Sequence, residues 1–233
     1  MEQGFLNKMN TERTLNPKSE AYNIDCMEYM KNIPDKYFDL AIVDPPYGIK
    51  INNNMGRRAG DKKSSYKKIE WDNNIPSKKY FEELFRISKN QIIWGANYFN
   101  MPPTKCFIVW RKPQISEGVS FSMLEYAWTS FNSTSKEWIG ISNEANRIHP
   151  TQKPVVLYAW LLNKYAKQGD KILDTHLGSG SSRIAAYKLG FDFVGCESCK
   201  LQGESYYIDS IAEDCPYKKE IAKWEQLESN HHG

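Results

Sequence analysis

The 233-residue sequence lacks the features that would place it in a membrane or in an oxidising compartment. No apolar run approaches the roughly 18 residues of a membrane-spanning helix. The first residues, Met1-Glu2-Gln3-Gly4, do not form the apolar stretch of a signal peptide. The five cysteines are odd in number and irregularly spaced, which is typical of reduced thiols. These absences predict a soluble intracellular protein.

Metal-binding patterns and a strong charge imbalance are also absent. Cys196-x-x-Cys199 is the only cysteine pair at metal-ligand spacing, and neither a second CxxC nor a His-x3-5-His pair accompanies it, so no metal site is predicted. His231 and His232 lie at the C-terminus and are interpreted as a tail. A net charge of +3 permits nucleic acid as a partner without arguing for it.

The stretch from Asp39 to Gly48 concentrates groups suited to ligand binding. Residues 40–43 are apolar without polar alternation, which predicts a strand buried on both faces. The two prolines after Asp44 cannot continue a ladder, so the strand must end there, at the carboxyl edge where open α/β sheets bind ligands. Asp44 and the Pro45 carbonyl could accept hydrogen bonds from an exocyclic NH2 while the Tyr47 ring stacks on a heterocycle. A plain strand and proline turn is the alternative.

Strand and helix patterns alternate along the rest of the chain. Apolar or alternating runs predict further strands near residues 22–25, 91–95, 107–110, 124–129, 171–174 and 193–197. Helical spacing predicts helices near residues 26–32, 77–88 and 147–167, and one that ends at Leu189 before Gly190. The pattern predicts one α/β domain over residues 1–233, with a mostly parallel sheet, an antiparallel hairpin and a lead-in at residues 1–20.

Residues 50–68 are strongly basic and rich in glycine and asparagine. Seven cations are opposed only by Asp61. A loop of this length in a compact domain is usually functional or disordered. We interpret it as a flap that contacts DNA phosphates, with a merely solvated loop as the alternative. The predicted DNA contacts are Lys50, Arg57, Arg58, Lys62 and Lys63. Polar insertions at 111–122 and 132–148 are also expected to reach DNA.

A second candidate site lies between residues 171 and 197. A strand is followed by Gly178-Ser179-Gly180, a helix, and a strand that ends in Glu197. The glycines allow close approach to the backbone, and the helix offers free N–H groups. Glu197 stands where nucleotide-binding folds place an acid on ribose hydroxyls. Arg183 replaces the third glycine of the dinucleotide fingerprint, and no P-loop lysine follows. A nucleoside cofactor without a pyrophosphate is predicted, with a structural βα turn as the alternative.

Together these motifs resemble those of the DNA amino-methyltransferases, which methylate adenine N6 or cytosine N4 with S-adenosylmethionine. The resemblance covers about residues 21–212, and its motif order is similar to the β-type arrangement. It implies a Rossmann-like, seven-stranded sheet, double-stranded DNA as partner, restriction-modification, and the cytoplasm of a bacterial or phage-infected cell. The matching motifs are Asp44-Pro45-Pro46-Tyr47, His149-Pro150-Thr151-Gln152-Lys153-Pro154 and Asp174-Thr175-His176-Leu177-Gly178-Ser179-Gly180, with phage-like segments at residues 94–99 and 127–131.

The resemblance also implies a role for each matching residue. The catalytic loop around a flipped-out base would comprise Asp44, Pro45, Pro46 and Tyr47. The cofactor-binding residues would be Asp25, Thr151, Lys153, Asp174, His176, Gly178, Ser179, Gly180 and Glu197. Asp25 would accept a hydrogen bond from the adenine amine of the cofactor, or it would cap a helix. Thr151 and Lys153 would lie near the methionine moiety of the cofactor, with a plain capping role as the alternative for Thr151. The family commonly has Asp-Pro-Phe where this chain has Asp174-Thr175-His176, a departure that bears on cofactor affinity.

Adenine N6 is the predicted target, because Asp44 rather than a serine precedes the two prolines. Cytosine-N4 methylation and a catalytically decayed DNA-binding protein of the same fold are the alternatives. A protein-glutamine methyltransferase is disfavoured, because its related loop carries asparagine at this position. A nicotinamide dehydrogenase is disfavoured by the missing third glycine.

Overall fold

The computed structural model describes residues 17–49, 74–116, 122–141 and 152–197. The strands of the described residues are β1 (Ser19–Asn23), β2 (Phe38–Val43), β3 (Ser88–Trp94), β4 (Phe107–Arg111), β5 (Leu124–Thr129), β6 (Lys136–Ile139), β7 (Lys171–Asp174) and β8 (Asp192–Glu197). The helices of the same ranges are α1 (Cys26–Lys31), α2 (Lys78–Ile87), α3 (Val155–Tyr165) and α4 (Ser181–Leu189), with a short 3-10 turn at Ala96–Tyr98.

All eight strands join one sheet in the order β1-β8-β7-β2-β3-β5-β4-β6. Strand β5 is antiparallel to both of its neighbours, β3 and β4, and every other pair is parallel. The predicted α/β class, the mostly parallel sheet and the β4–β5 hairpin are confirmed. Because the parallel strands point the same way, their carboxyl ends meet at one edge.

Helices cover both faces of the sheet. On one face α3 and α4 pack over a cluster that includes Leu40, Ile92 and Phe193. On the other face α1 and α2 pack over a cluster that includes Val43, Ile93 and Leu173. Both faces of β2 are therefore buried, which explains the continuous apolar run of that strand.

The adjacent strands β7 and β2 are followed by helices on opposite faces of the sheet. Strand β7 leads into α4 on one face, and the next described helix after β2 is α2 on the other face. Such a topological switch opens a crevice at the carboxyl ends of the two strands, which is where doubly wound folds bind ligands. Asp44 follows β2 at this point, and Asp174 ends β7.

Two details of the sequence-based prediction were wrong. The sheet has eight strands rather than seven, because residues 136–139 form β6 within the expected insertion at 132–148. Lys136-Glu137-Trp138-Ile139 is too short and too mixed in polarity to reveal a strand, and its parallel pairing with β4 makes it one. The expected lead-in also ends earlier, because β1 begins at Ser19 and pairs with β8.

The helix predicted over residues 147–167 is shorter in the described part of the chain. Gln152 to Pro154 precede the helix, and Pro154 adopts an extended conformation as the N-cap of α3. Helix α3 then runs from Val155 to Tyr165. Gly190 ends α4 in the left-handed conformation, as predicted. No helix among the described residues has the length and apolar character that crossing a bilayer requires.

Candidate active site

Asp44 stands directly after β2, where the two prolines end the ladder. Its Oδ1 accepts a hydrogen bond from the Tyr47 hydroxyl at 2.5 Å, and its Oδ2 accepts one from the Lys153 ammonium at 2.5 Å. A carboxylate oxygen can accept two hydrogen bonds, so these contacts leave capacity for a further donor. The side chain is 20% exposed, so a ligand at the edge can reach it.

Tyr47 is packed between the loop and the end of β3. Its ring stacks on Tyr98 with 5.1 Å between centroids, and it meets Phe99 edge-on. Gly95 makes this possible: a Cβ at that position would lie 2.0 Å from Tyr47 Cε1, and the backbone has a φ of +68°. Burial, and then the Asp44 anion, raise the pKa of Tyr47 well above its usual value, so the phenol stays a proton donor.

Lys153 lies at the catalytic loop. Its ammonium contacts Asp44 and lies 2.9 Å from Glu125 Oε2 and 3.2 Å from the Tyr47 hydroxyl. The charge also sits near the Trp94 ring, 5.2 Å from its centroid. Burial acts to lower the pKa of Lys153, but Asp44 and Glu125 outweigh burial and raise the pKa, so the side chain stays charged.

The sequence-based prediction placed Lys153 near the methionine moiety of the cofactor. In the structure its ammonium donates to Asp44 Oδ2 and to the Tyr47 hydroxyl, and it forms an ion pair with Glu125 Oε2, which accepts no hydrogen bond in the described structure. The contacts of this charge are therefore with the Asp44 loop and with β5. Thr151, predicted beside it, lies outside the described residues.

Two charged residues that sequence reasoning missed complete this part of the site. Glu125, in β5, pairs with Lys153 and also, through Oε1, with Lys112 just after β4. The Lys112 ammonium lies 4.5 Å from the centroid of the Trp110 ring. The signal that could have found Glu125 was the alternation of β5: it shares its face with Ala127, a buried core position, so its carboxylate had to point inward.

The loop after β7 forms the second half of the site. Gly178 and Gly180 have φ values of +52° and +75°, a left-handed conformation that suits glycine. A Cβ at Gly180 would meet nothing within 4 Å, so the space in front of the loop is open. The loop leads into the N-terminus of α4, and Ser179 Oγ lies 3.0 Å from Ser181 Oγ. Open space beside exposed backbone N–H groups fits a nucleoside-type cofactor.

Asp174 ends β7 beneath this loop and is almost completely buried. The Ser182 hydroxyl donates to its Oδ2 at 2.5 Å, and the His176 backbone N–H donates to its Oδ1 at 3.0 Å. Burial raises the pKa of Asp174 to about 7, despite these hydrogen bonds. The carboxyl therefore changes its protonation state close to neutral pH.

His176 stands where the family commonly has an aromatic residue. Its ring packs edge-on against Tyr80 at 5.4 Å, and its Nδ1 lies 3.0 Å from Thr175 Oγ1, which also bonds the Tyr80 hydroxyl. Burial lowers the pKa of His176 to about 4, so the imidazole is neutral at physiological pH. A neutral planar ring is thus held at the cofactor loop.

Glu197 and Asp25 lie together at the ends of β8 and β1. The Glu197 Oε2 accepts from the Gly178 backbone N–H at 2.8 Å, which ties the acid to the glycine loop. The Ile24 N–H donates to the Glu197 carbonyl. Asp25 caps α1, with Oδ1 accepting from the Met27 and Glu28 backbone N–H groups. Asp25 therefore forms the helix cap that was the alternative interpretation. Its contact with the cofactor stays a prediction.

The predicted basic flap lies outside the described residues, with Lys50, Arg57, Arg58, Lys62 and Lys63. His149, Pro150 and Thr151, the first half of the His149–Pro154 motif, lie outside them as well. Among the described residues, no three His, Cys, Asp or Glu side chains are grouped as metal ligands. Cys196 is buried in β8, and burial raises the pKa of its thiol.

Known proteins share this combination of loops. A family model described as DNA methylase, of the N6/N4 type, matches residues 38–206, well over half of the chain. The chain belongs to this family. It is therefore a DNA amino-methyltransferase of the N6-adenine/N4-cytosine class, and S-adenosylmethionine is its cofactor.

Individual relatives of this N6/N4 methyltransferase are distant. YubD of Escherichia coli (strain K12) is 24% identical over 201 residues, covering 74% of this chain and 82% of YubD. The type II methyltransferase M.HinfI of Haemophilus influenzae is 24% identical over 242 residues, covering 79% of this chain and 65% of that protein. YubD is described as a methylase and M.HinfI as a type II methyltransferase, and the latter match agrees with a methyltransferase of restriction-modification type.

Solved structures share the fold at lower identity. The PvuII DNA methyltransferase, described as cytosine-N4-specific, has a TM-score of 0.52 and 12% identity, covering 89% of this chain and 94% of that one. The complex of M1.HpyAVI with SAM has a TM-score of 0.50 and 20% identity, covering 78% of this chain and 94% of that one. These likenesses concern the fold alone.

Proposed function

We propose that this methyltransferase transfers a methyl group to adenine N6 in double-stranded DNA, at a site centred on Asp44. The observation that carries the proposal is the place of the Asp44 carboxylate. It stands at the switch point between β2 and β7, beside the glycine loop, with an adjacent proline carbonyl. Adenine is preferred over cytosine because aspartate, rather than serine, precedes the two prolines.

The amino nitrogen of a base is a poor nucleophile, because its lone pair is conjugated with the ring. Hydrogen bonds from the NH2 to Asp44 and to the Pro45 carbonyl would favour a pyramidal nitrogen. The same acceptors would stabilise the positive charge that develops on nitrogen during methyl transfer, so they act mainly in the transition state. Since the amino group is paired inside a duplex, the base has to be flipped out to reach Asp44.

Tyr47 contributes a rigid aromatic wall to this site. Its ring is held by Gly95 and Tyr98, and its hydroxyl donates to Asp44. We infer that the flipped base stacks against this aromatic group, with Tyr98, which is 43% exposed, at its outer side. The sequence suggested stacking on Tyr47, and the contact between the Tyr47 and Tyr98 rings supports including Tyr98 in the proposed stacking surface.

The cofactor would be held by the loop between β7 and α4. Asp174, Gly178 and Gly180 would shape the pocket for the methionine part, and His176 and Ser179 would line it. Glu197 would bind the ribose hydroxyls, and Asp25 is proposed near the adenine. When bound, S-adenosylmethionine supplies an electrophilic methyl group. The protein's part is to hold the base nitrogen in line with that group.

Residues 1–233 are proposed to form one catalytic domain, with DNA held by segments at the carboxyl edge of the sheet. The basic flap at 50–68 would contact phosphates, and parts of the insertions at 111–122 and 132–148 would reach the DNA.

The proposal is tested by methyl transfer from labelled S-adenosylmethionine to unmethylated genomic DNA, followed by mass spectrometry of the nucleosides. We expect N6-methyladenine. N4-methylcytosine would keep the site and overturn the base assignment. No incorporation, together with no cofactor binding, would favour a decayed DNA-binding protein.

A matched pair of variants separates catalysis from cofactor binding. Asp44→Ala should abolish methyl transfer while calorimetry shows unchanged cofactor affinity. Glu197→Ala should weaken cofactor binding, because it removes the acceptor for the ribose hydroxyls and for the Gly178 N–H. Retention of more than about a tenth of the activity in Asp44→Ala, roughly 1.4 kcal/mol, would contradict the catalytic role. Unchanged affinity in Glu197→Ala would contradict the ribose role.

A further inference from the structure

Four side chains of alternating charge form a continuous row of ion pairs that starts at the Asp44 loop. It consists of Asp44, Lys153, Glu125 and Lys112, and we call it the ion-pair chain. Lys153 lies 2.5 Å from Asp44 and 2.9 Å from Glu125, and Glu125 also contacts Lys112. The two lysine side chains are 3% and 8% exposed, and the two acids are about one-fifth exposed. The interactions are therefore poorly screened by solvent.

Each inner member of the ion-pair chain has two partners of opposite charge. Burial acts to raise the pKa of Glu125, but Lys153 and Lys112 outweigh burial and lower it. The Lys153 ammonium likewise pairs with two carboxylates, those of Asp44 and Glu125. The Lys153 charge is thus shared between Asp44 and Glu125, and the Glu125 charge is shared between Lys153 and Lys112.

This sharing has a consequence for the proposed reaction. A lysine paired with Asp44 alone would cancel most of the negative charge that faces the amino nitrogen. Glu125 reduces this cancellation, because it attracts the Lys153 ammonium as well. It also places a second negative charge beside Lys153. The geometry of the catalytic carboxylate also depends on Lys153, which holds Oδ2 while Tyr47 holds Oδ1.

We propose that Glu125, anchored by Lys112, is a positioning residue for methyl transfer: by sharing Lys153 with Asp44 it orients the Asp44 carboxylate and preserves its negative charge toward the base. The proposal rests on the proposed role of Asp44. The described partners of Glu125 are Lys153 and Lys112, so it would act on the reaction through Lys153. Its removal should therefore lower kcat and leave the binding of cofactor and DNA unchanged.

The test compares Glu125→Gln with Glu83→Gln under steady-state conditions. Glu83 is a matched control, because it also pairs with a basic residue, Arg86, and its side chain is 24% exposed, but it lies on α2, away from the Asp44 loop and from the insertions proposed to reach DNA. Glu125→Gln should lower kcat on the order of 10-fold to 100-fold, by analogy with the loss of groups that orient metal ligands. The KM values and the calorimetric cofactor Kd should change less than about threefold. Glu83→Gln should match the wild type.

Removing one partner of a buried ion pair can also destabilise the fold. The double variant Glu125→Gln/Lys112→Met addresses this point, because it removes one charge of each sign and leaves Lys153 with Asp44. Its fold is checked by thermal melting and by cofactor affinity. We expect a folded protein with the same low kcat as Glu125→Gln. Lys112→Arg keeps the anchoring cation and should keep near wild-type kcat.

The outcomes separate the two proposals. Recovery of kcat in the double variant would overturn the positioning role alone. A full kcat in Glu125→Gln, measured beside an active wild type, would do the same. A parallel fall of melting temperature, cofactor affinity and kcat in both variants would make the role structural and would overturn it too. Wild-type protein that methylates no DNA would overturn the proposed function, and the positioning role with it.

Discussion

At the scale of single residues, burial controls the protonation of the cofactor loop. Asp174 and His176 are two residues apart, and burial moves their pKa values in opposite directions, to about 7 and about 4. Burial favours the neutral form of each group; the Asp44 and Glu197 charges add to this effect on Asp174, whereas the Asp25 charge opposes it on His176. A cationic ligand at this loop would therefore act mainly on Asp174, whose pKa lies near neutrality.

We predict that cofactor binding releases protons at pH 6. A positively charged cofactor stabilises the Asp174 carboxylate and so lowers its pKa on binding. Affinity should rise with pH up to about 7 and then level off. Calorimetry at pH 6 in buffers of different ionisation enthalpy measures the proton release. Asp174→Asn should abolish the pH dependence. An affinity independent of pH between 5 and 8 would show that cofactor binding does not change the pKa of Asp174.

The same residue has a defined effect on folding. The Asp174 pKa is raised from a normal value of 3.8 to about 7 on folding. The folded state therefore binds this proton more tightly, and the contribution of Asp174 to stability is full below pH 3.8 and is lost as pH rises through 7. A bound cation at the loop would offset this loss.

At the scale of elements, the turn after β3 determines where Tyr47 lies. Gly95 leaves this strand in the left-handed conformation, and the Tyr47 ring occupies the space that a side chain would need. The β3 turn and the β2 loop therefore fit together only with glycine at position 95. Gly169 has a similar φ of +87°, but a Cβ there would meet nothing within 4 Å.

We predict that Gly95→Ala lowers both stability and activity, whereas Gly169→Ala lowers stability alone. Both variants carry the cost of a left-handed alanine, about 1–2 kcal/mol. Gly95→Ala also displaces the Tyr47 ring and with it the hydrogen bond to Asp44, so kcat should fall at least about tenfold. Urea unfolding and methyl-transfer assays measure the two effects. Equal kcat in both variants would show that the position of Tyr47 does not matter for catalysis.

At the scale of the whole molecule, the chemical groups of the described chain gather at one edge of the sheet. Asp44 follows β2, and Asp174 and Glu197 end β7 and β8. Glu125 reaches the same edge because β5 runs in the opposite direction. The predicted basic flap, residues 50–68, follows the Asp44 loop in the sequence. DNA is therefore expected on the carboxyl side of the sheet.

We predict that replacing the five flap cations with glutamine weakens binding to all DNA sequences alike. The slope of log K against log salt should decrease by about 0.9 for each phosphate that the variant no longer neutralises. Titrations of a fluorescent duplex at several salt concentrations measure this slope. The matched control replaces five lysines near the opposite edge of the sheet: Lys31, Lys89, Lys105, Lys164 and Lys167. An equal decrease of slope in both variants would contradict a specific role for the flap.

The sequence by itself determined the α/β class, the hairpin and the positions of the two loops. Each of these follows from local chemistry. Two prolines after Asp44 end a strand, and Gly178-Ser179-Gly180 opens a helix. The capping of α1 by Asp25 could also be predicted from the sequence, because a carboxylate just before a helical segment accepts hydrogen bonds from the free N–H groups of the first turn.

The tertiary structure decided which distant residues meet. Lys112, Glu125 and Lys153 lie in three separate segments, and no spacing along the chain predicts that their charges form one row beside Asp44. Strand β6 likewise exists because β4 offers it an edge to pair with. Contacts of this kind depend on sheet order and strand direction, which bring together residues more than 100 positions apart, such as Asp44 and Lys153.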